Sequence, residues 1–394
     1  MYKLFAVCAP GLEPFIAQEL NQLGFTPSPF PSLSKQSLRK IEEDEVGGVE
    51  FQGSLRDVYR ANLCLRTASR VLVRLGAFYA AVFPELRRKA SRLPWEHYLS
   101  PGQPVSLRVT CHNSRLYHER AVAERIAGAI GDRFGKPPSI QKFDEDADTV
   151  LPQLIIVRLV ADHCTISVDS SGALLHKRGY RLATGKAPLR ETLAAGMLLA
   201  SGWDTNSPLL DPFCGSGTIA IEAALLARQI PPGYVRHFAF MNWPNFDPEI
   251  WNTLLAEMKT TQKSFSPRII ASDRDAGAIE TAKANAERAV VLDYIEFSHR
   301  AVSAIEPPPG PGWVVTNPPY GVRVSSNKDL RNLYAQFGKV LRTKCPGWRV
   351  AMLCNSVQLL HSTGLEFDEG ISLMNGGLRV KLVMGKVAPP PYFL

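Results

Sequence analysis

The pattern of hydrophobic positions changes character near residue 169. Before that point, apolar stretches of different period follow one another irregularly. Residues 2–8 alternate as a strand, 13–23 carry helical spacing, and 46–51 read as a second strand, with Pro27, Pro29 and Pro31 in a loop between them. Ser54-Leu55-Arg56-Asp57 has the form of a helix start, and the helix runs through Tyr59 and Leu63. Next come a strand over 70–78, a helix over 83–93 and a strand over 104–111. In 118–134, Ala121, Val122, Ile126 and Ile130 share one helical stripe. Stretches 154–159 and 164–168 predict a hairpin with Asp162-His163 at its turn. The mixture predicts an α+β region.

After Asp169 the alternation becomes regular. Pro188 opens a helix over 189–200, in the first helical position where proline is favoured. Strand–turn–helix units follow at 208–229 and 268–289, then a strand at 313–316, a helix at 330–341 and a strand at 348–354. This order predicts a mostly parallel sheet covered by helices. Asn375-Gly376 between apolar runs predicts a final hairpin, with 379–384 as its returning strand.

Composition narrows the picture. A chain of 394 residues that is 45% hydrophobic can bury a large core and is long enough for two or three domains. It has no run of about 18 apolar residues, so no membrane-spanning helix is expected. The first residues lead as a strand to Gly11 without a basic leader. The seven cysteines are scattered singly with no CxxC pair, which argues against a zinc site or disulfide framework and fits a reducing, cytoplasmic setting. Charge is uneven: up to Arg190 there are 26 Lys/Arg against 19 Asp/Glu, and afterwards 19 against 18. The basic excess in the first half suits a polyanion, although a merely soluble basic domain would show the same balance.

Two motifs carry chemistry. The first is Asp211-Pro212-Phe213-Cys214-Gly215-Ser216-Gly217-Thr218. Leu209-Leu210 ends a buried strand, placing Asp211 at the carboxyl edge where open α/β sheets bind ligands. Gly215 and Gly217 let the turn pass under a ligand, since a Cβ would collide or demand positive φ. Thr218 opens a helix whose free N–H groups face the pocket. A tight β–α turn without a ligand is the alternative. A second acid, Asp273, ends the next strand, where ribose hydroxyls are bound, and Asp275 is placed to cap the following helix. The 62 positions from Asp211 to Asp273 exceed a simple nucleotide-binding unit, so an insertion around 231–251 must fill the gap. Its aromatics, Phe238, Phe240, Trp243, Phe246 and Trp251, read as core packing rather than a stacking platform.

The second motif is Asn317-Pro318-Pro319-Tyr320, at another strand's carboxyl edge. The lone pair of an exocyclic amine on a nucleobase is delocalised into the ring and is a poor nucleophile. The Asn317 side-chain oxygen and the Pro318 carbonyl can accept its N–H protons and favour a pyramidal nitrogen. Pro319 has no N–H to compete, and Tyr320 offers a face for an extruded base. Arg323 and Lys328 in the following segment read as solvated charges or phosphate contacts.

Together these motifs resemble the THUMP-domain RNA guanine-N2 methyltransferases, a family of bacterial 23S rRNA and tRNA enzymes with members labelled adenine-specific DNA methylases. The stretch Leu175-His176-Lys177-Arg178-Gly179-Tyr180-Arg181, followed by 187–194, is similar to the family's lead-in to its catalytic domain. Cys8-Ala9-Pro10-Gly11-Leu12-Glu13 matches its N-terminal opening. The resemblance implies a ferredoxin-like unit over 1–60 and a THUMP RNA-binding domain over 61–168. Over 169–394 it implies a Rossmann-like class I methyltransferase domain that uses S-adenosylmethionine. The terminal antiparallel hairpin suits a methyltransferase better than a dehydrogenase.

By position, the resemblance puts Asp211, Phe213, Gly215, Gly217 and Thr218 around the methionine part of the cofactor and Asp273 on its ribose. Pro188 and Leu189 would border it, and Asn317, Pro318, Pro319 and Tyr320 would hold the target guanine. One departure stands out. Where the family carries an acid near the adenine, this chain has Arg300. Either backbone N–H groups serve the adenine there, or affinity is altered.

The expected activity is methylation of a guanine N2 in structured RNA, ribosomal ahead of transfer RNA. The clamp itself serves any planar amine or amide, so adenine-N6 methylation and protein-glutamine methylation are chemically allowed. A DNA enzyme would need an element that reads base edges in a groove. The basic N-terminal half suits shape and phosphate recognition of RNA instead. A non-catalytic ribosome-assembly protein with a relic pocket is the alternative from another class.

Overall fold

The computed structural model describes residues 1–28, 47–144, 151–181, 189–264, 267–320 and 327–389. The chain divides into two compact units. One comprises Met1–Cys8, Ala17–Leu175 and Val235–Ala256; the other comprises Ala9–Ile16, His176–Tyr234 and Glu257–Leu394.

In chain order the first half holds β1 (Tyr2–Val7), α1 (Glu13–Gln22), β2 (Gly48–Gly53), α2 (Leu55–Cys64), β3 (Arg70–Tyr79), α3 (Phe83–Ala90), β4 (Val105–His112), α4 (Glu119–Phe134), β5 (Gln153–Val160) and β6 (His163–Asp169). The six strands form one sheet in the order β2-β1-β3-β6-β5-β4, antiparallel except for the parallel pair β4–β5. Strands from both sides of position 60 therefore share it. The predicted start of α2 is a capping box: Ser54 N–H donates to Asp57 at 2.7 Å, and Asp57 N–H donates back to the Ser54 hydroxyl at 3.4 Å. The β5–β6 turn lies one residue earlier than the pattern predicts, on Ala161 and Asp162, with φ of 49° and 66°.

The aromatic insertion folds with this same unit. Tyr59 stacks on Phe240 with centroids 4.4 Å apart, and Phe238, Phe246 and Trp251 close around the pair. Phe238 and Phe240 are fully buried. These rings are core, and the long spacing between the two acids comes from a segment that leaves one unit, packs in the other and returns.

The second half contains α5 (Glu191–Ala200), β7 (Leu209–Asp211), α6 (Thr218–Ala227), α7 (Pro248–Thr260), β8 (Ile269–Asp273), α8 (Ala276–Arg288), β9 (Ile295–His299), β10 (Trp313–Thr316), α9 (Asn327–Lys344), β11 (Arg349–Cys354), α10 (Val357–Ser362), β12 (Ile371–Asn375) and β13 (Leu378–Lys386). The sheet order is β12-β13-β11-β10-β7-β8-β9. Strands β11, β10, β7, β8 and β9 are parallel, and β13 runs antiparallel to both β11 and β12. This is a Rossmann-like, mostly parallel sheet with the terminal antiparallel hairpin that the sequence predicts.

Chain order reverses between β7 and β10, and crevices at such a switch point are where open sheets bind ligands. Two predictions need correction. Helix α5 begins at Glu191 behind Arg190 rather than at 189, and Pro188 lies outside the described residues. The β12–β13 turn is Gly376-Gly377, with φ of 57° and 81°, rather than Asn375-Gly376. Two glycines take the positive φ without strain, which leaves Asn375 in the strand with its side chain available. Among the described residues no helix is long and apolar enough to cross a membrane.

Candidate active site at the switch point

Asp211 and Asn317 stand at the carboxyl ends of β7 and β10, the two strands that flank the switch point. A direct bond couples them: the Thr316 hydroxyl donates to Asp211 Oδ1 at 2.6 Å. Phe213 N–H reaches the same oxygen at 3.3 Å. The other oxygen, Oδ2, is buried and has no partner among the described residues, and so is Oδ1 of Asn317. A buried polar atom left unpaired costs about 1–3 kcal/mol, so two such oxygens at the ends of adjacent strands are suited to receive donors.

Burial pushes the Asp211 carboxyl up to about 7; the Thr316 and Phe213 bonds act against this, and neighbouring Asp273 adds to it. The folded group is raised above its unfolded range. Its protonated form therefore costs folding nothing at low pH, and stability is lost as pH climbs through about 7. Ligand-free Asp211→Asn is expected to melt several degrees above the wild type at pH 8, with the gap shrinking toward pH 5. Melting curves across that range check it, and a gap independent of pH would refute the buried-carboxyl account.

The turn after Asp211 is held from both ends. Gly215 N–H donates to Asp273 Oδ2 at 3.0 Å, and Cys214 N–H donates to the Ser272 carbonyl at 3.0 Å. Gly215 has φ 51°, and a Cβ there would point into open space. Gly217 has φ 83°, but its Cβ would lie 2.9 Å from that of Ala282 on α8. The first glycine thus keeps the cradle open, while the second lets α6 sit against α8; the collision expected at Gly217 is with protein.

Asp273 is half-buried. Its Oδ1 takes the Asp275 N–H at 3.0 Å, and each oxygen keeps lone-pair capacity for a hydroxyl donor. Asp275 caps α8 through Gly277 and Ala278 N–H groups, as its position predicts. Phe213 turns toward the core, edge-on to Phe337 at 5.4 Å, and serves as floor. The orphaned Asp211 oxygen, the open space over Gly215 and the strand-end acid Asp273 together fit a ligand with a cationic amino-acid end and a ribose.

Behind the cradle stands a brace built on Arg178, Tyr180 and Arg181. Arg181 donates to the Thr218 hydroxyl at 2.5 Å and to the Leu189 carbonyl at 3.1 Å, and lies 3.5 Å from Glu191. Thr218 and Leu189 therefore meet at one guanidinium. Arg178 and the Tyr180 hydroxyl both contact Glu222 of α6, at 3.4 and 3.2 Å. Arg288 donates to the Tyr180 carbonyl and to Asn285, whose amide donates to Ser216 O in the cradle turn at 3.0 Å. Glu222 within the apolar run Thr218–Ala227 was the available signal, because a charge fully buried in such a helix needs a partner.

At the clamp, Pro319 O accepts from the Tyr334 hydroxyl at 3.3 Å, and the Tyr320 hydroxyl accepts from Asn375 Nδ2 at 2.6 Å. Burial raises the Tyr320 phenol above its usual range. Pro318 is buried, and Tyr320 is partly buried against the α9 core. Arg323 and Gly321 lie outside the described residues, as does the side chain of Lys328.

At the corner where an acid was expected, Arg300 N–H is already donated to Asp273 O at 2.9 Å, so that backbone group is not available to an adenine. Its side chain instead holds Glu306 at 2.6 Å. This brings a carboxylate to a hollow of about 250 Å³ that is also lined by Ser272 and Ser298.

Comparison with known proteins gives the family and the fold. Residues 178–383 match the RMKL-like methyltransferase domain, 3–31 and 34–72 the RlmL ferredoxin-like domain, and 80–169 the THUMP domain. The ribosomal RNA large subunit methyltransferase K/L of Methylococcus capsulatus is 34% identical, over 99% of this chain and 52% of its own length. This chain thus spans about half the length of the K/L relatives it matches. A Synechocystis protein named provisionally as an RNA methyltransferase is 34% identical, over 96% of this chain and 95% of its own. Among solved structures, SMU.472, a provisionally named methyltransferase complexed with SAH, superposes with a TM-score of 0.82. It is 28% identical and covers 98% of each chain.

Proposed function

Because this chain belongs to the family built on the RMKL-like methyltransferase domain, we propose that it methylates the exocyclic N2 amine of a guanine in structured RNA, 23S ribosomal RNA ahead of transfer RNA. S-adenosylmethionine would supply the methyl group on an electrophilic sulfonium. The observation that carries the reading is the buried Oδ1 of Asn317, which has no partner among the described residues and lies one residue beyond the Thr316–Asp211 link. That oxygen can accept an N–H of the incoming amine, which draws the nitrogen lone pair out of conjugation with the ring. Tyr320 can take the extruded base on its face, and Asn375 fixes the orientation of that ring through the 2.6 Å bond.

On the cofactor side, Asp211 Oδ2 is free to accept from a cationic amino group, and Asp273 from ribose hydroxyls. No general base is required. Once methylated, the nitrogen is far more acidic and releases its proton to water. RNA as acceptor is supported by the THUMP match over 80–169 and by the basic balance of the first half.

The test is methyl transfer from labelled S-adenosylmethionine to total RNA from a strain lacking the gene, read by nucleoside mass spectrometry and sizing of the labelled RNA. N2-methylguanosine in the 23S fraction is expected. Label in N6-methyladenosine would keep the clamp and overturn the base, and no label on any RNA would overturn the proposal.

A further inference from the structure

The carboxyl edge of β11 opens on a cavity of about 440 Å³, within the range of about 300–1,000 Å³ that takes small ligands. It lies between α10 and the β12–β13 hairpin, and neither the clamp nor the cradle uses it. Val357, Leu360 and Met374 give it an apolar lining. At its rim Val357 is 56% exposed and Met374 48% exposed, and Leu378 at the hairpin tip is 43% exposed. Single exposed aliphatics are ordinary; two at one mouth with a third beside it leave an apolar patch facing water.

The charge there has one sign. Arg379 and Lys381 line the cavity, and no carboxylate does among the described residues. The Lys381 ammonium is positioned by a 3.0 Å bond to the Glu369 carbonyl. One oxygen of the Asp368 carboxylate, Oδ1, takes the Gly370 and Met384 N–H groups. The cavity also adjoins the clamp. Cys354 lines it and belongs to the core cluster on which Tyr320 packs. Asn375, next to Met374 in β12, holds the Tyr320 hydroxyl.

We propose that this cavity receives the nucleotide adjacent to the target in the RNA strand, with its base against Val357, Leu360 and Met374 and its phosphate between Arg379 and Lys381. This rests on the RNA-methyltransferase reading above. A base delivered to Tyr320 must be pulled from its strand, and the neighbouring residue comes with it to the edge of the clamp. An anionic group joined to a flat, largely apolar ring matches a hollow with aliphatic walls and two cations. Closing the rim over a base also buries the exposed Val357 and Met374. Because Asn375 connects the hairpin to Tyr320, filling the cavity stiffens the surface that holds the target.

The test uses the full chain and an oligoribonucleotide spanning the guanine mapped by the labelling experiment, with two further versions abasic directly before or directly after that guanine. The variants are V357D/M374D, which alters only side chains that are about half exposed, and, separately, R379Q. Melting temperature and SAH affinity serve as controls for folding and for the cradle.

For the wild type, one of the two abasic RNAs is expected to raise KM roughly tenfold, the scale of one stacked base, with kcat kept. V357D/M374D is expected to raise KM on intact RNA by more than that factor and by clearly less on that abasic RNA, where only the repulsion between the new carboxylates and the phosphate remains. R379Q should raise KM on both RNAs through the lost phosphate contact. Wild-type KM in V357D/M374D, or an equal rise on intact and abasic RNA, would overturn the subsite while leaving the methyltransferase reading intact. Absence of transfer by the wild type to any RNA would overturn both.

Discussion

Asn317→Ala is expected to bind SAH as the wild type does and to lose turnover by about two orders of magnitude or more. Its Oδ1 is buried and makes no bond among the described residues, so removing it breaks no contact that supports the fold. The Thr316–Asp211 bond and the Asp273–Gly215 bond, which shape the cradle, are untouched. What is lost is an acceptor aimed at the place where positive charge develops on the amine nitrogen. In a dehydrated site such an acceptor is worth far more than in water. The measurement is single-turnover methyl transfer alongside calorimetric titration with SAH. A kcat equal to wild type would remove Asn317 from the chemistry, and a large loss of SAH affinity would make it a cradle residue instead.

The mirror-image result is expected for Asp273→Ala: cofactor affinity falls roughly ten- to hundredfold, the scale of about 1.5–3 kcal/mol for hydrogen bonds to a charged group. Two effects combine. On the proposed reading the carboxylate offers acceptors to ribose hydroxyls, and it also anchors the cradle turn through Gly215 N–H and the start of α8 through Asp275 N–H. Asp273→Asn keeps one acceptor oxygen and is expected to lie between the two. At saturating cofactor, Asp273→Ala should recover most of its turnover, which separates it from Asn317→Ala. An unchanged dissociation constant would place Asp273 outside the site.

Both motifs were legible before the structure because they are local. Asp211 through Thr218 is one strand end, one turn and one helix start, and Asn317 through Tyr320 is one strand end. Both consist of residue types whose backbone constraints and donor or acceptor sets are distinctive. The regular alternation after Asp169 likewise predicts the parallel sheet and its hairpin. The boundaries of α5 and of the β12–β13 turn were less legible, since Pro188-Leu189 and Asn375-Gly376 are each acceptable one or two residues away from where the backbone uses its cap or turn.

What the sequence by itself determined is the class of sheet, the two chemical motifs and the uneven charge, because each follows from periodicity or from residue type within a few positions. What only the tertiary structure decided is how distant residues share atoms. It joins Thr316 to Asp211 across two strands and braces Ser216 and Thr218 with Arg181, Asn285 and Arg288. It sends the aromatic insertion into the other unit, and it brings Asn375 to Tyr320. These pairings span tens of residues or more, and along the chain a buried arginine or a strand-end asparagine looks like any other. Only folding, which strips water from such groups and forces each to find a partner, selects which residue answers which.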